Sequence, residues 1–368
     1  MLPGTICLPS VAPIPPPPGI RAVCDAFRTD GELVEIEAWP GGHINDSYLL
    51  VFVTGTGRHR YLLQRINGEV FPRPDQVMEN VQRVTEHVIQ RLEVEGYSHP
   101  EKHFLTLTPT YDNRAWYTDN RRDVWRMYPF IEGTHAQEFV QDADQAETAA
   151  QAFGRFTRLV DGIPGAPLHE VLPGFHDTPA RLEALRAAAQ LDPKQRAHAV
   201  QDEIEFALDQ AQDAGVFMDL LAAGELPTRV VHNDTKISNV LLSNETSAAI
   251  CVVDLDTVMP GTALFDYGDM VRSMSTRAAE DECDLSLVVA EPELVKALEK
   301  GYLAGAGDAL TEVERAHMPK AGFVLALELG ARFLTDHILG DQYFRIHRPQ
   351  HNLDRARAQF TLAHNLNQ

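Results

Sequence analysis

The chain has little of what disulfide-framed, membrane-spanning or nucleic-acid-binding proteins are built from. Only four cysteines occur in 368 residues. Cys7, Cys24, Cys251 and Cys283 lie far apart without a C-x-x-C pair, which excludes a dense disulfide framework and a cysteine-rich zinc site. Cys251 falls inside a predicted strand, so a buried reduced thiol is expected there. No apolar run approaches the roughly 20 residues that a membrane span needs. Basic residues are scarce, 32 Lys and Arg against 53 Asp and Glu, for a formal net charge of −21. That balance disfavours loose binding to nucleic acid or to an anionic membrane. It does not bar an anionic nucleotide, because a few local donors and Mg2+ decide that binding, and it steers a cationic acceptor favourably. The first basic residue is Arg21, so no positive secretory n-region is seen. The cytoplasm is the expected compartment.

Two further absences bear on chemistry. Gly41-Gly42-His43-Ile44-Asn45-Asp46-Ser47 is a glycine turn between two predicted strands, yet it fits neither G-x-G-x-x-G nor the P-loop pattern. No lysine precedes Lys102, so a phosphate-pairing cation in the N-terminal part must be an arginine. Arg65, on the predicted strand Tyr61–Ile66, is the candidate.

What is present centres on residues 230–269. Val240-Leu241-Leu242 and Ala249–Val253 are short apolar runs separated by the polar turn Ser243–Ser247, which reads as a β-hairpin. Folding it returns Asp254 to Asp234 and Asn239. Three oxygen-bearing side chains then share one end of a sheet, a set that suits Mg2+. His232-x-Asp234-x-Lys236-x-x-Asn239 also has the spacing of a kinase catalytic loop, and Val253-Asp254-Leu255-Asp256 stands where its second metal-binding Asp belongs. A buried His, an Asx turn and an exposed acidic loop would be the plainer reading. It leaves unexplained why costly polar groups gather at apolar strand ends.

Around this segment the chain orders itself as α+β. Residues 1–19, with Pro15 to Pro18, read as an extended leader. Residues 20–130 are strand-rich: Leu33–Ala38, Tyr48–Val53, Tyr61–Ile66, Leu105–Leu107 and Trp125–Phe130, with Arg58-His59-Arg60 at a turn. One amphipathic helix, Pro74–Glu95, carries Val77, Val81, Val84, Val88 and Leu92 at three- and four-residue steps. Its Glu79 and Glu86 are candidates to pair with a strand arginine. Arg126–Gly133 is the expected hinge, where Met127, Tyr128 and Phe130 would meet an adenine ring through backbone groups. Residues 131–368 are mostly helical, over Ala143–Leu159, Pro179–Ala189, Asp202–Ala223, Pro292–Tyr302 and Ala321–Ile338. Asp266 and Asp269 are expected to brace the catalytic loop or cap a helix. Glu328, Arg332 and Asp336 recur every four residues, hence on one helix face, with Tyr343 just beyond the turn Gly340-Asp341. Of the C-terminal histidines, His347 and His351 have ligand-like spacing, but Pro349 between them argues against a helix and a zinc site.

Several segments together resemble the aminoglycoside phosphotransferase and choline kinase-like superfamily, and within it most closely the N-acetylhexosamine 1-kinase subfamily. They are Gly42–Asp46, Leu62–Asn67, His232–Lys236, Val253–Gly261 and Arg332–His337. The resemblance implies a protein kinase-like two-lobe fold, with a strand-rich N-lobe and a mostly helical C-lobe. It implies ATP-dependent phosphorylation of the anomeric hydroxyl of GlcNAc or GalNAc. By it, Asp234 is the catalytic base or orienting carboxylate; in such a transfer Lys236 is expected to offset charge on the moving group. Asn239 and Asp254 bind Mg2+, and His43, Arg332 and Tyr343 contact the sugar. An aminoglycoside, choline or another sugar would share the catalytic residues and differ in the pocket. No activation segment ending in Ala-Pro-Glu follows Asp254, which disfavours a protein kinase.

Overall fold

The computed structural model describes residues 15–40 and 44–368. The expected sugar contact His43, its glycine turn and residues 1–14 lie outside the described residues. The chain divides into two compact units, parted in sequence between Gly133 and Thr134.

The first unit contains the short helix α1 (Ile20–Cys24), strands β1 (Glu32–Ala38), β2 (Asp46–Thr54) and β3 (Gly57–Arg65), helix α2 (Pro74–Val94), and strands β4 (Tyr117–Thr118) and β5 (Val124–Pro129). The strands form one antiparallel sheet in the order β1-β2-β3-β5-β4. Residues 47–52 of β2 are all buried. A central strand covered on both faces needs successive side chains suited to burial, which is why this segment reads as a run and not an alternation. Phe27, Leu50, Phe52, Leu63, Trp125 and Met127 make the core of this sheet. Helix α2 buries Val77, Val81, Val84, Val88 and Leu92 as its periodicity predicts. Pro74 opens it, where a missing N–H is harmless, and Gly96 follows its end at φ +89°.

Two expectations for this unit are corrected. Arg58-His59-Arg60 is not a turn but the start of β3, since Thr54 pairs with Gly57 around a tighter turn. The outer end of that hairpin is exposed, so charged residues sit there at little cost. Leu105–Leu107 forms no strand; nearby, Thr108 N–H donates to the Met127 carbonyl at 2.8 Å.

The second unit opens with strand β6 (Thr134–His135) and helices α3 (Ala143–Val160) and α4 (Thr178–Leu191). The single helix expected over 202–223 is instead α5 (Gln201–Asp209), α6 (Ala211–Ala214) and α7 (Val216–Ala222), interrupted at Gln210 and Gly215. Strands β7 (Arg229–Val231), β8 (Val240–Ser243), β9 (Ala249–Val252) and β10 (Met259–Gly261) follow, then helices α8 (Ala263–Met274), α9 (Pro292–Ala306), α10 (Glu312–Leu339) and α11 (His351–Leu366). The β8–β9 hairpin forms as read, with a bulge between Leu241 and Leu242. It joins β6 in one small sheet, and β10 pairs with β7 in another.

Helix α10 begins well before the expected Ala321, because Thr311 and Glu314 form a reciprocal capping box at its start. It tolerates Pro319 inside and ends at Gly340, φ +103°. Helix α11 was not anticipated: Pro349 precedes it and His351 opens it. Both ring nitrogens of His351 are engaged, one by Asp281 at 3.0 Å and the other by the His347 N–H at 3.1 Å. Among the described residues no helix is long and apolar enough to cross a membrane.

Candidate active site

The loop 232–239 joins β7 to β8, and its shape is imposed by groups from outside it. The backbone N–H groups of His232 and Asn233 donate to the two carboxylate oxygens of Asp266 at 2.9 and 2.7 Å. Thr235 N–H donates to Asp269 at 2.8 Å, and its hydroxyl donates to the Asp266 carbonyl at 2.6 Å. Asp266 and Asp269 lie in α8 and are both buried, so the bracing role expected of them is what they perform. Burial raises the Asp266 pKa, against the opposing pull of His232 and the two donated N–H groups. The Asn233 amide donates to the Thr257 carbonyl at 2.8 Å, while the Thr257 hydroxyl returns a bond to the His232 carbonyl at 2.6 Å.

His232 is fully buried, with the rings of Phe153 and Phe156 from α3 set edge-on at 5.5 Å each. Its Nε2 donates to the Val253 carbonyl at 2.9 Å and its Nδ1 accepts the Asp234 N–H at 3.3 Å. The imidazole therefore ties the first half of the motif to the second. Val253 N–H closes the same gap by donating to the Asn239 carbonyl at 2.9 Å. Asp254 follows at once, in the left-handed region at φ +63°.

The acidic centre is Asp234, whose side chain is 29% exposed. Its Oδ2 accepts from Lys236 Nζ at 2.8 Å and from the Asn239 amide at 2.9 Å. The same amide nitrogen donates to the Asp234 carbonyl at 2.8 Å. Burial pushes the Asp234 carboxyl up, but Lys236, His232 and the Asn239 amide outweigh it and hold the group below its ordinary value. Lys236 is the mirror case: burial lowers it, while Asp234, Asp254 and Asp269 carry it up to about 12. Lys236 is thus a fixed cation among three carboxylates. The oxygen donors Asn239 and Asp254 are hard, as Mg2+ prefers. With both Asn239 amide protons given to Asp234, its Oδ1 is left to accept.

A second polar cluster surrounds Arg332 on α10. The guanidinium carbon lies 5.0 Å from the Phe175 ring and 5.6 Å from the Phe344 ring. Tyr343 is 69% exposed, its ring edge-on to Phe344 at 4.8 Å. Glu328, one turn before Arg332, is buried against His176 at 2.9 Å and the Thr178 hydroxyl at 2.7 Å. Burial raises its carboxyl, but His176, Arg332 and Thr178 bring it below its ordinary value. Arg181 donates to the carbonyls of Gly174 and Phe175; burial and the neighbouring Arg332 lower its pKa. The His176 ring also lies 5.1 Å from that of Phe265, the residue before the bracing Asp266.

The residues expected to meet a nucleotide belong to the first unit. Arg65 donates to Asp46 and, at 3.1 Å, to Asp123, and its guanidinium lies 5.9 Å from the Trp125 ring. Its carboxylate partners are therefore these two, while Glu86 accepts from the Gln82 amide at 2.8 Å. Met127 and Tyr128 are buried in β5, and the Met127 carbonyl and the Phe130 N–H are already bonded, to the Thr108 N–H at 2.8 Å and to the Arg60 carbonyl at 3.0 Å. Phe130 carries Arg60 over its ring at 4.2 Å. Thr235, Thr257, Phe175, His176 and Phe344 escaped the sequence reading. The four-residue spacing of Glu328, Arg332 and Asp336 was the one available pointer to the second cluster.

Similar solved structures share this fold across both units. An aminoglycoside phosphotransferase from Alicyclobacillus acidocaldarius matches at 16% identity with a TM-score of 0.60, covering 97% of each chain. A spectinomycin phosphotransferase, solved with ADP and spectinomycin, matches at 12% identity and TM-score 0.50 over 92% of this chain and 94% of that one. A Plasmodium vivax ethanolamine kinase matches at 13% identity and TM-score 0.50 over 89% and 81%. At such identities the likeness is one of fold, and it bears out the two-lobe, kinase-like class, an antiparallel-sheet N-lobe followed by a helical C-lobe. Residues 35–310 match the model of the phosphotransferase enzyme family, and the chain belongs to that family.

Proposed function

We propose that this protein transfers the γ-phosphoryl group of ATP to the anomeric hydroxyl of an N-acetylhexosamine, GlcNAc or GalNAc, giving the sugar 1-phosphate. The observation that carries the reading is the division of labour at Asn239. Its amide protons hold Asp234, which leaves one loop offering a carboxylate to an acceptor hydroxyl and an amide oxygen to a cation.

Phosphoryl transfer asks a protein mainly for positioning and charge stabilisation. Asp234 accepts a hydrogen bond from the acceptor hydroxyl, aims its oxygen at the γ-phosphorus, and takes the proton as the O–P bond forms. A carboxylate held below its ordinary pKa is a weak base. It suits an anomeric hydroxyl, which is more acidic than an ordinary alcohol. Lys236 balances charge beside it. Asn239 and Asp254 would hold Mg2+, which when bound neutralises charge on the phosphate oxygens. ADP in the related spectinomycin phosphotransferase supports an adenine nucleotide as donor. The β5 segment with Met127, Tyr128 and Phe130 supplies its contacts in this reading, with Arg65 toward the phosphates. His43, Arg332 and Tyr343 meet the sugar. Buried thiols, such as Cys24 pushed up to about 12 by burial, fit a cytoplasmic protein.

The net charge of −21 favours an amine-bearing acceptor such as an aminoglycoside or choline. The Arg181–Arg332 pair opposes it locally, and the carboxylates beside it are occupied, Glu328 by His176 and Thr178 and Asp177 by the Ala180 N–H. Phosphorus NMR of the product from a mixture of GlcNAc, GalNAc and an aminoglycoside separates the two. A sugar 1-phosphate signal is expected; a phosphorylated aminoglycoside alone would replace the sugar reading.

A further inference from the structure

Helix α10 presents Glu328, Arg332 and Asp336 one turn apart. The two carboxylates are buried, 1% and 5% exposed, whereas Arg332 between them keeps part of its surface open. A buried carboxylate is costly unless its oxygens are fully hydrogen-bonded, so what each one binds shows what it does. Glu328 holds His176 and Thr178, and the residue beside His176 is Phe175, one ring against Arg332. Asp336 takes the N–H groups of Gln342 and Tyr343 at 2.8 Å each on one oxygen. Its other oxygen takes the Phe344 N–H and the Asn352 amide, both at 2.9 Å. Phe344 is the second ring against Arg332.

The end of α10 does not itself need the Asp336 carboxylate. Gly340 and Asp341 N–H groups already donate to the carbonyls of Asp336 and His337, which is how a helix with a left-handed cap is closed. The side chain instead fixes the turn that follows, residue by residue. Loops that must be ordered at each encounter lose affinity to that ordering, and loops held beforehand do not.

We propose that Glu328 and Asp336 are positioning residues of the acceptor site, tying down the two loops whose Phe175 and Phe344 rings clasp the Arg332 guanidinium. The proposal rests on the reading of Arg332 and Tyr343 as sugar contacts. It places acceptor recognition in a sleeve assembled from three separate segments, with α10 as the common post.

The test uses the full chain with Asp336→Asn and Glu328→Gln made singly. Arg332 is footprinted with phenylglyoxal and read by peptide mass spectrometry, and steady-state kinetics are taken with GlcNAc or GalNAc. A loosened sleeve is expected to speed Arg332 modification at least about threefold and to raise the sugar KM about tenfold, with the ATP KM within about twofold. A generally damaged fold would move both KM values together. Phe344→Leu, which keeps the backbone ties and removes the ring, should reproduce the sugar KM rise in case a carboxylate variant does not fold. Unchanged Arg332 footprints in the carboxylate variants, or an unchanged sugar KM in all three, would overturn the proposal. Failure of the parent to phosphorylate either sugar would sink the sugar reading instead, and the footprint would still decide the positioning role.

Discussion

Asn239 turns both protons of its side-chain amide onto Asp234, at 2.8 Å to the carbonyl and 2.9 Å to the carboxylate. Replacing that donor with Asn239→Asp keeps an outward oxygen but sets a second carboxylate against the first. Two such groups in contact resist joint ionisation, so one pKa must rise. The expected outcome is a fall in kcat of about 100-fold or more and an upward move of the acid limb of the pH–rate profile. An acid limb in the parent's position would break the proposed dependence of Asp234 on Asn239.

Asp234→Asn removes the charge while leaving the shape. Turnover should drop by roughly 10²–10⁴-fold, the range over which positioned proton transfer acts. Titration calorimetry with ADP should show nearly unchanged affinity. Near-normal turnover would remove Asp234 from the chemistry.

Asp254→Ala takes one oxygen donor from the proposed cation pair and leaves the hairpin intact. ATP binding by the parent should depend on Mg2+ and vanish with chelator, whereas the variant should bind ATP weakly with or without the metal. Equal Mg2+ dependence in both proteins would move the cation elsewhere.

The fold was legible where it follows from periodicity, and the site where it follows from local spacing. The apolar steps along α2 and the turn between β8 and β9 are local signals, and both held. The His232-to-Asn239 spacing likewise placed Asp234 and Asn239 in one hydrogen-bonded cluster. What escaped was non-local. His176 meets Glu328 across 152 positions, and Thr257 meets His232 from the far side of the hairpin. Neither pair lies within the reach of one helix or strand period, so no periodic pattern announces it. Arg65 shows the same limit in reverse: its strand position was right, but nothing local announced that Asp46 and Asp123 would take its guanidinium.

Stability should fall as pH drops below neutrality. His337 and His351 are both buried. Burial, reinforced by Arg196 for His337 and by Arg355 for His351, holds each below 6.5. A histidine with a lower pKa folded than unfolded binds more protons when unfolded. Its stabilising contribution is therefore complete above 6.5 and is lost as pH falls from there toward the folded value. Urea midpoints should decline between pH 7.5 and 5.5, the unfolding free energy falling below pH 6.5 by up to about 1.4 kcal/mol per pH unit for each group. His351→Gln should flatten that slope. A midpoint constant across the window would show that neither burial matters.

Helices α3 and α9 touch backbone to backbone, which reverses the usual sign of a glycine substitution. Alanine in a helix interior is normally favoured over glycine by about 1 kcal/mol. A Cβ on Gly305, however, would lie 2.1 Å from the Gln151 carbonyl oxygen and 2.6 Å from Arg155 N. Gly301 and Gly154 face equivalent clashes at 2.2 Å with the carbonyls of Glu147 and Tyr302. Backbone cannot swing aside as a side chain can, so Gly305→Ala must pry the helices apart, an overpacking cost of about 1–3 kcal/mol. The displaced helix α3 carries Phe153 and Phe156, the rings that close on His232. Thermal unfolding of Gly305→Ala should therefore begin several degrees lower, and turnover should fall with it, although no catalytic group has changed. A variant melting above the parent would mean that helix propensity outweighs the contact and that the two backbones are not in touch.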